Sequence, residues 1–159
     1  MRDEEGPTHP YMLSSPGCWA AYGEILARMY LPGYRNPEVR QIAVDSYACQ
    51  HPGKPERKAI QSVNGHLISL YMAYEKNFSG NRATAVIQRV IQNEKIVAGF
   101  EWLDPPAFKN ELTVADVLLA KSAVKHQEIV RAWGRSVWQA WRAMHFDAIV
   151  AHAEKLGSA

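Results

Sequence analysis

The chain has 159 residues, of which 47% are hydrophobic and 21% are charged, as in an ordinary globular domain with one core. Its 18 basic and 16 acidic side chains leave a net charge of +2, which predicts no nucleic-acid binding. No run approaches the roughly 18 apolar residues of a membrane span, and the N-terminus lacks the apolar region of a secretory signal. We therefore expect a soluble, cytoplasmic protein in which Cys18 and Cys49 are free thiols.

Helix-start signals recur along the first half of the chain. The motifs SSPG and NPE each place a capping side chain directly before a proline. They predict a first helix over about 16–30 and a second over 37–50, which ends because His51 precedes a proline and leaves the α region. Apolar periodicity then predicts a third helix over about 55–77.

The middle of the chain predicts one more helix and a loop. Asn81 is a suitable cap for a fourth helix over about 82–95, within the run RATAVIQRVIQNEK. The segment over about 97–112 contains a proline pair, which breaks regular structure. We therefore expect a loop there, between the fourth helix and the last part of the chain.

The last part of the chain has the strongest helical periodicity. Thr113 and Asp116 resemble a capping box, and the periodicity that follows persists to Met144 and, after a bend, to Leu156. Strand alternation is missing throughout. The sequence therefore predicts an all-α, single-domain bundle of four to five helices over residues 1–159, with an extended or loop segment at 1–14.

Three polar residues fall on helix faces where apolar residues are expected. Asp45 occupies such a position on the second helix, whereas Gln41 points elsewhere. His66 borders the apolar stripe of the third helix beside small residues. His126 shares a stripe of the last helix with apolar residues, namely Leu119, Val130, Trp133, Val137 and Met144.

Burying a carboxylate or an imidazole costs free energy unless a partner or a metal ion satisfies it. Helical bundles bind metals with such side chains projecting inward from facing helices. We therefore predict one pocket in which zinc or iron is held by Asp45, His66 and His126, with His51 or His9 as a further ligand. The alternative is that these are ordinary core and surface residues bonded to protein groups. No HExxH, Glu-x-x-His or CxxC motif decides between the two interpretations.

Cys18 and Glu24 are weaker candidates for a catalytic role. Cys18 is the third residue of the predicted first helix, where the helix dipole favours a thiolate, but it also fits as a small apolar residue. Glu24 stands four residues before Arg28, which favours a surface ion pair. Three tryptophans near the C-terminus are typical of a core or a dimer seam, namely Trp133, Trp138 and Trp141.

Five segments of the chain carry a resemblance to a known family. They read GPTHPYM, SPGCWAAYGEILARMY, VDSYACQHPG, QSVNGHLISLY and LTVADVLLAKSAVKHQEIVRAWGRSVWQAW. In this order they resemble an uncharacterised bacterial family of small helical proteins, a domain of unknown function. The resemblance implies no activity, and it places polar motif residues at His9, Cys18, Asp45, His51 and His66. Members often begin with a CxxC segment before GPTH, whereas this chain begins MRDEEGPTH, so no zinc-ribbon-like N-terminus is expected.

Two functional hypotheses follow from these residues. The first is a metal-binding helical bundle, a hydrolase or transferase that uses a metal-activated water or thiol on an unknown small molecule. The second is a non-catalytic interaction protein, such as a homodimer formed through the aromatic last helix, in which the polar core groups satisfy one another. Neither hypothesis involves nucleic acid or a membrane.

Overall fold

A computed structural model describes residues 5–78, 80–109 and 111–155, except the side chains of residues 80, 81, 83, 86, 87 and 91. The described residues contain no strand. They form seven helices, namely α1 Pro16–Arg28, α2 Pro37–Gln50, α3 Arg57–Tyr74, α4 Gly80–Gln92, α5 Glu94–Ala98, α6 Val114–Leu118 and α7 Ala123–Glu154. The all-α prediction is confirmed, with seven helices in place of four to five. None of the described helices is long and apolar enough to cross a lipid bilayer.

The first two helices begin and end as their capping residues dictate. Ser15 caps α1 by accepting a hydrogen bond from the backbone N–H of Cys18, and Asn36 caps α2 in the same manner. His51 follows α2 with non-helical φ and ψ of −123° and 58°, because Pro52 excludes it from the α region. The predicted bounds of α2 are therefore confirmed.

The predicted fourth helix is two helices. It breaks at Asn93, whose extended backbone and side chain cap α5 by accepting from the N–H groups of Lys95 and Ile96. The loop expected over 97–112 consequently begins after Ala98. The cap predicted at Asn81 concerns a side chain outside the described residues.

The predicted long C-terminal helix is also two helices. The capping box of Thr113 and Asp116 is present, but the helix that it opens ends at Leu118. A second cap at Ser122, which accepts from the Lys125 N–H, starts α7. The bend expected after Met144 occurs at His145, where φ is −133° and ψ is 19°.

The core lies where α7 packs against α2 and α3. Its largest side chains are the three tryptophans predicted to fill a core or a dimer seam, and all of them are buried inside this chain, namely Trp133, Trp138 and Trp141. The indole of Trp141 donates to the backbone oxygen of Cys49, at the end of α2. Arg131 reaches Glu38 at the beginning of α2, so α7 runs parallel to α2.

The helix face predicted for His126 is only partly correct. Val130, Trp133 and Val137 are buried on this face of α7, as expected. Leu119 is 76% exposed because the chain breaks between α6 and α7, and Met144 is 54% exposed next to the bend at His145. The continuous stripe was wrong because it assumed one helix through both interruptions.

Candidate functional site

The buried carboxylate of Asp45 is the centre of a polar cluster between α2 and α3. Asp45 is only 1% exposed. Its Oδ1 accepts hydrogen bonds from Nδ1 of His66 at 2.7 Å and from Nε2 of Gln41 at 2.8 Å, and its Oδ2 accepts from Oγ of Ser69 at 2.6 Å. Three donors thus compensate the loss of hydration of the charge.

The cluster extends to α4 through Gln41. The side-chain oxygen of Gln41 accepts a hydrogen bond from Oγ1 of Thr84 at 2.9 Å, while its amide nitrogen donates to Asp45. The two ends of the amide are therefore fixed by opposite partners, so its orientation is determined. One polar network joins α2, α3 and α4 around Asp45.

His66 is a partly exposed member of this cluster. Because the carboxylate of Asp45 only accepts, Nδ1 of His66 must carry a proton, and in the neutral ring Nε2 then carries the lone pair. The side chain is 18% exposed, and none of the described residues bonds to Nε2. A carboxylate that holds one ring nitrogen is the arrangement found both in general bases and in metal-ligating histidines.

A second polar site lies at the C-terminal end of α2. Nδ1 of His51 donates to the backbone oxygen of Leu13 at 2.8 Å, and Nε2 lies 3.3 Å from Sγ of Cys18. A carbonyl only accepts, so the ring proton is on Nδ1 and the lone pair of Nε2 faces the thiol. The result is a thiol, a base and a group that orients the base.

The environment of this pair favours its uncharged form. Burial raises the pKa of the Cys18 thiol, against a smaller lowering by the hydroxyl of Tyr47. Burial lowers the pKa of His51, against a smaller raising by the Leu13 carbonyl. Desolvation disfavours the charged state of each group, so at neutral pH they form a thiol and an imidazole rather than an ion pair. The thiolate that the helix dipole was predicted to favour at Cys18 is therefore opposed by burial.

A groove of about 400 Å³ approaches this site at Leu13 and Ser14, but neither Cys18 nor His51 lines it. Its walls are the N-terminal segment over 8–14 and the turn between α2 and α3, and they include Leu13, Ser14 and Lys54. The two walls approach closely at Gly53, where φ is +80° and a Cβ atom would overlap the backbone oxygen of Tyr11. Only glycine fits there, so this position holds the N-terminal segment close to the turn.

His9 and His126 lie apart from the Asp45 cluster. The His9 ring packs edge-on against Tyr11 and Trp19, with centroids 4.3 and 5.1 Å away, and it lines the groove. His126 is fully buried, and neither of its ring nitrogens has a hydrogen-bond partner among the described residues. Burial lowers the pKa of both histidines, and for His126 the charge of Arg28 adds to the effect.

Residues 5–142 match a family described as Family of unknown function (DUF5946). The chain belongs to this family. No curated protein and no solved structure matches the chain. The predicted membership of an uncharacterised family is confirmed, and the two polar sites described above are features of a DUF5946 member.

The structure brings together only part of the predicted ligand set. Asp45 and His66 are in direct contact, but His51 faces Cys18, His9 faces Trp19, and His126 lies elsewhere. Among the described residues, no group of three or more His, Cys, Asp and Glu side chains could hold a metal ion. The described residues therefore do not form the predicted pocket of Asp45, His66 and His126 with His51 or His9.

The length of α2 explains why these residues stay apart. His126, on α7, lies beside the start of α2, because its neighbour Gln127 accepts a hydrogen bond from Asn36, the cap of α2. Asp45 is nine residues further on, or about 13 Å at 1.5 Å per residue. His51 follows the other end of the helix. Residues on apolar faces of different helices all enter one core, but they can lie at different positions along the helix axes.

The candidates Cys18 and Glu24 have different environments. Glu24 forms the predicted surface ion pair with Arg28, with atoms 2.6 Å apart, and the carboxylate is largely exposed. Nothing else in the described residues gives it a catalytic environment. Cys18 is 5% exposed and faces His51. Cys18 and Cys49 are both free thiols, as expected.

Several site residues were missed by the sequence analysis. Gln41 was assigned to the wrong face, although it stands four residues before Asp45, a spacing that allows a side-chain hydrogen bond on a helix. Ser69 was considered only for its small size. Thr84 and Tyr47 carried no signal, because their contacts depend on how separate helices pack.

The ordinary alternative for a buried histidine is realised at His152, which the sequence analysis did not select. Its Nδ1 lies 3.0 Å from the side-chain oxygen of Asn64. The Asn64 amide donates in turn to the backbone oxygens of Ile60 and Glu101. These bonds satisfy Nδ1 of His152 locally, and its partner is a neutral amide rather than the carboxylate that holds His66.

Proposed function

We propose that this DUF5946 member is a hydrolase or transferase in which His66 is the general base and Asp45 orients it. The substrate is a small molecule that presents a hydroxyl group, or that reacts with water, at Nε2 of His66. The observation that carries this proposal is the 2.7 Å bond between Nδ1 of His66 and the buried Asp45 carboxylate. This bond leaves the lone pair of Nε2 on the accessible side of the ring.

The rest of the cluster supports the same role. Gln41 and Ser69 each donate to Asp45, so the carboxylate is fixed in position before any substrate arrives. When His66 accepts a proton, the adjacent carboxylate stabilises the imidazolium that forms.

Metal binding enters the proposal through the same nitrogen. A histidine held by a carboxylate through Nδ1 is oriented to bind zinc or iron through Nε2. In this form, His66 would be one protein ligand, and the metal would supply an activated water. The proposal therefore includes a metal ion as an option at His66 and does not require His9, His51 or His126 as further ligands.

We expect the substitution His66→Ala to lower the turnover of p-nitrophenyl acetate by about 100-fold, the usual contribution of a general base. The assay is run in a Cys18→Ser background, so that no thiol contributes. The matched control is His145→Ala, a histidine outside this cluster whose Nε2 bonds to the backbone oxygen of Asp104. Equal turnover with and without His66 would contradict the proposal.

The metal option is tested on the same proteins, purified without a histidine tag. If Nε2 of His66 holds a metal, a chelator lowers the melting temperature of the parent protein and has no effect on His66→Ala. If turnover requires His66 but is unchanged by the chelator, His66 acts as a general base without a metal.

A specific surface feature favours a second candidate function, a non-catalytic interaction protein. Leu119 and Val124 are 76% and 69% exposed at the turn between α6 and α7, and Leu31 after α1 is 52% exposed. The two segments are adjacent, because Arg28 donates to the backbone oxygen of Leu118 at 2.9 Å. Apolar side chains exposed in one place are typical of a contact with another protein, here a second copy of this chain.

This second candidate predicts a dimer that depends on Leu119. We expect light scattering to give twice the monomer mass for the wild type and the monomer mass for Leu119→Asp. The control Met144→Asp changes an apolar side chain that is 54% exposed and lies about 30 Å along α7 from the start of that helix, and it keeps the dimer. A wild-type monomer at all concentrations would remove this candidate.

A further inference from the structure

The site at the end of α2 has the parts of a nucleophilic centre that the role of His66 does not use. The thiol of Cys18 lies 3.3 Å from Nε2 of His51, and the carbonyl of Leu13 holds the other ring nitrogen. Burial lowers the pKa of His51, so its ring is neutral and able to accept a proton near pH 7. A thiol, a neutral base and an orienting group are thus in consecutive contact.

Two buried hydroxyl groups beside the thiol form a second, independent observation. Tyr47 is 1% exposed, and its hydroxyl lies near the hydroxyl of Ser14 and the thiol of Cys18, but neither hydroxyl makes a hydrogen bond of ordinary geometry to a described residue. The Tyr47 hydroxyl is nevertheless close enough to the Cys18 thiol to lower its pKa. Buried hydroxyls without partners are rare because each costs free energy. These two are therefore available to donate to a ligand.

The rigidity of this corner comes from aromatic packing. The rings of Tyr47 and Tyr22 stack with centroids 3.9 Å apart and an interplanar angle of 13°, and Tyr47 also packs against the His51 ring at 4.5 Å. Burial raises the pKa of Tyr47, so its phenol stays protonated and remains a donor. The hydroxyl group is therefore fixed in place rather than free to turn into solvent.

We propose that Cys18 is an acyl-accepting nucleophile, with His51 as its base and the hydroxyls of Tyr47 and Ser14 as donors to the acyl oxygen. The ligand class is an ester or thioester of a small carboxylic acid, which enters from the groove lined by Leu13 and Ser14. This site goes beyond the role proposed for His66 and is independent of it.

The acyl-transfer step balances with the groups present. Sγ of Cys18 attacks the carbonyl carbon of the ester as Nε2 of His51 takes the thiol proton, and a carbon–sulfur bond forms. The carbonyl oxygen becomes an oxyanion, to which the two hydroxyls donate. The bond to the leaving group then breaks, and the proton on His51 passes to the departing oxygen or sulfur. The product is an acyl thioester on Cys18, which water hydrolyses by the reverse sequence of proton transfers.

Acyl chemistry suits this site better than disulfide chemistry. The other cysteine, Cys49, is fully buried in the core near the end of α2, where its backbone oxygen accepts a hydrogen bond from the indole of Trp141. Cys18 therefore has no resolving thiol among the described residues with which to form a disulfide. The unpartnered donors are hydroxyl groups, and these match a carbonyl oxygen that gains negative charge.

The test is acetylation by p-nitrophenyl acetate, followed by intact-protein mass and peptide mapping. We expect one acetyl group on Cys18, formed at least about 10-fold faster in the folded protein than in the same protein unfolded in urea. Folding normally slows the reaction of a buried thiol, so this comparison separates a nucleophile from a core cysteine without any substitution. The overturning result is a Cys18 that reacts more slowly in the folded chain, or acetyl groups only on lysines.

Variants then assign the roles within the site. We expect His51→Gln to slow acetylation about 100-fold and Tyr47→Phe, which keeps the stacked ring, to slow it at least about 10-fold. Cys49→Ser and His145→Ala keep the full rate. Because acetylation is measured on Cys18 itself, failure of this site and failure of the His66 proposal are distinguishable. The assigned mechanism would be overturned if both single variants, Tyr47→Phe and His51→Gln, fold and are acetylated at the wild-type rate.

Discussion

Replacing Asp45 by alanine is expected to lower the free energy of unfolding by about 3–5 kcal/mol. The carboxylate is 1% exposed and accepts from three side chains of two helices, so its removal leaves three buried or half-buried donors without an acceptor. An unpaired buried donor costs more than an average hydrogen bond contributes, because it loses its hydration and gains nothing in exchange. The cavity left by the side chain adds to the loss.

Urea unfolding followed by tryptophan fluorescence measures this effect, since all three tryptophans of α7 are buried. The matched control is Glu38→Ala on the same helix, a half-exposed carboxylate that lies 3.4 Å from Arg131. An ion pair of that exposure contributes at most about 1 kcal/mol. Asp45→Asn keeps one acceptor oxygen, so its loss of unfolding free energy should lie between those of Asp45→Ala and Glu38→Ala. Similar losses for Asp45→Ala and Glu38→Ala would show that the cluster is not a stabilising network.

The contact between Asp45 and His66 could be predicted from the sequence. Each residue interrupts the apolar face of its own helix, and two such interruptions on helices joined by a short turn are close to the same height in the bundle. The structure brings them within 2.7 Å. What the sequence lacked was the register of more distant helices, which decided that His126 faces Tyr34 and Arg28 instead.

The Cys18–His51 pair shows the limit of reading each helix separately. Cys18 was evaluated only as a helix residue, and His51 only as a metal ligand at the rim. Their contact depends on where the loop before α1 crosses the end of α2, and this is fixed by the bond between His51 and Leu13. No periodicity in the sequence contains that information, because both partners of the bond lie outside regular helices.

Local chemistry explains which helix bounds were predictable. Asn36 and Ser15 cap their helices with side chains that act within three residues, so their effect is visible in the sequence. Asn93 and Ser122 use the same device in the middle of periodic runs and were overlooked there. Periodicity continued across both breaks, since a short interruption between two packed helices does not require a change in apolar pattern.

His126 supports the second large prediction, a loss of stability in acid. The ring is fully buried, has no hydrogen-bond partner among the described residues, and lies near the positive charge of Arg28. Burial and this charge both lower its pKa in the folded state, below the ordinary value of 6.5. The unfolded chain therefore binds the proton more readily, and the free energy of unfolding falls as pH decreases below about 6.5.

We expect His126→Leu to remove this part of the pH dependence and to raise stability even at pH 8. Each pH unit between the unfolded and folded pKa values costs the wild type up to about 1.4 kcal/mol for one such histidine. At pH 8 the ring is neutral, and leucine gains about 1–3 kcal/mol because no buried polar atom is left unpaired. His9, His51 and His152 also have lowered pKa values, so a smaller acid dependence persists in the variant.

Urea midpoints at pH 5 and pH 8 for the wild type, His126→Leu and His126→Gln separate the two effects. Both variants should lose less stability in acid than the wild type, because neither side chain titrates. At pH 8, only His126→Leu should be more stable than the wild type, because the glutamine variant places a polar amide in the same apolar surroundings. If His126→Leu destabilises the protein at pH 8, the imidazole has a partner that holds it in place, and its burial is then a stabilising contact rather than a cost.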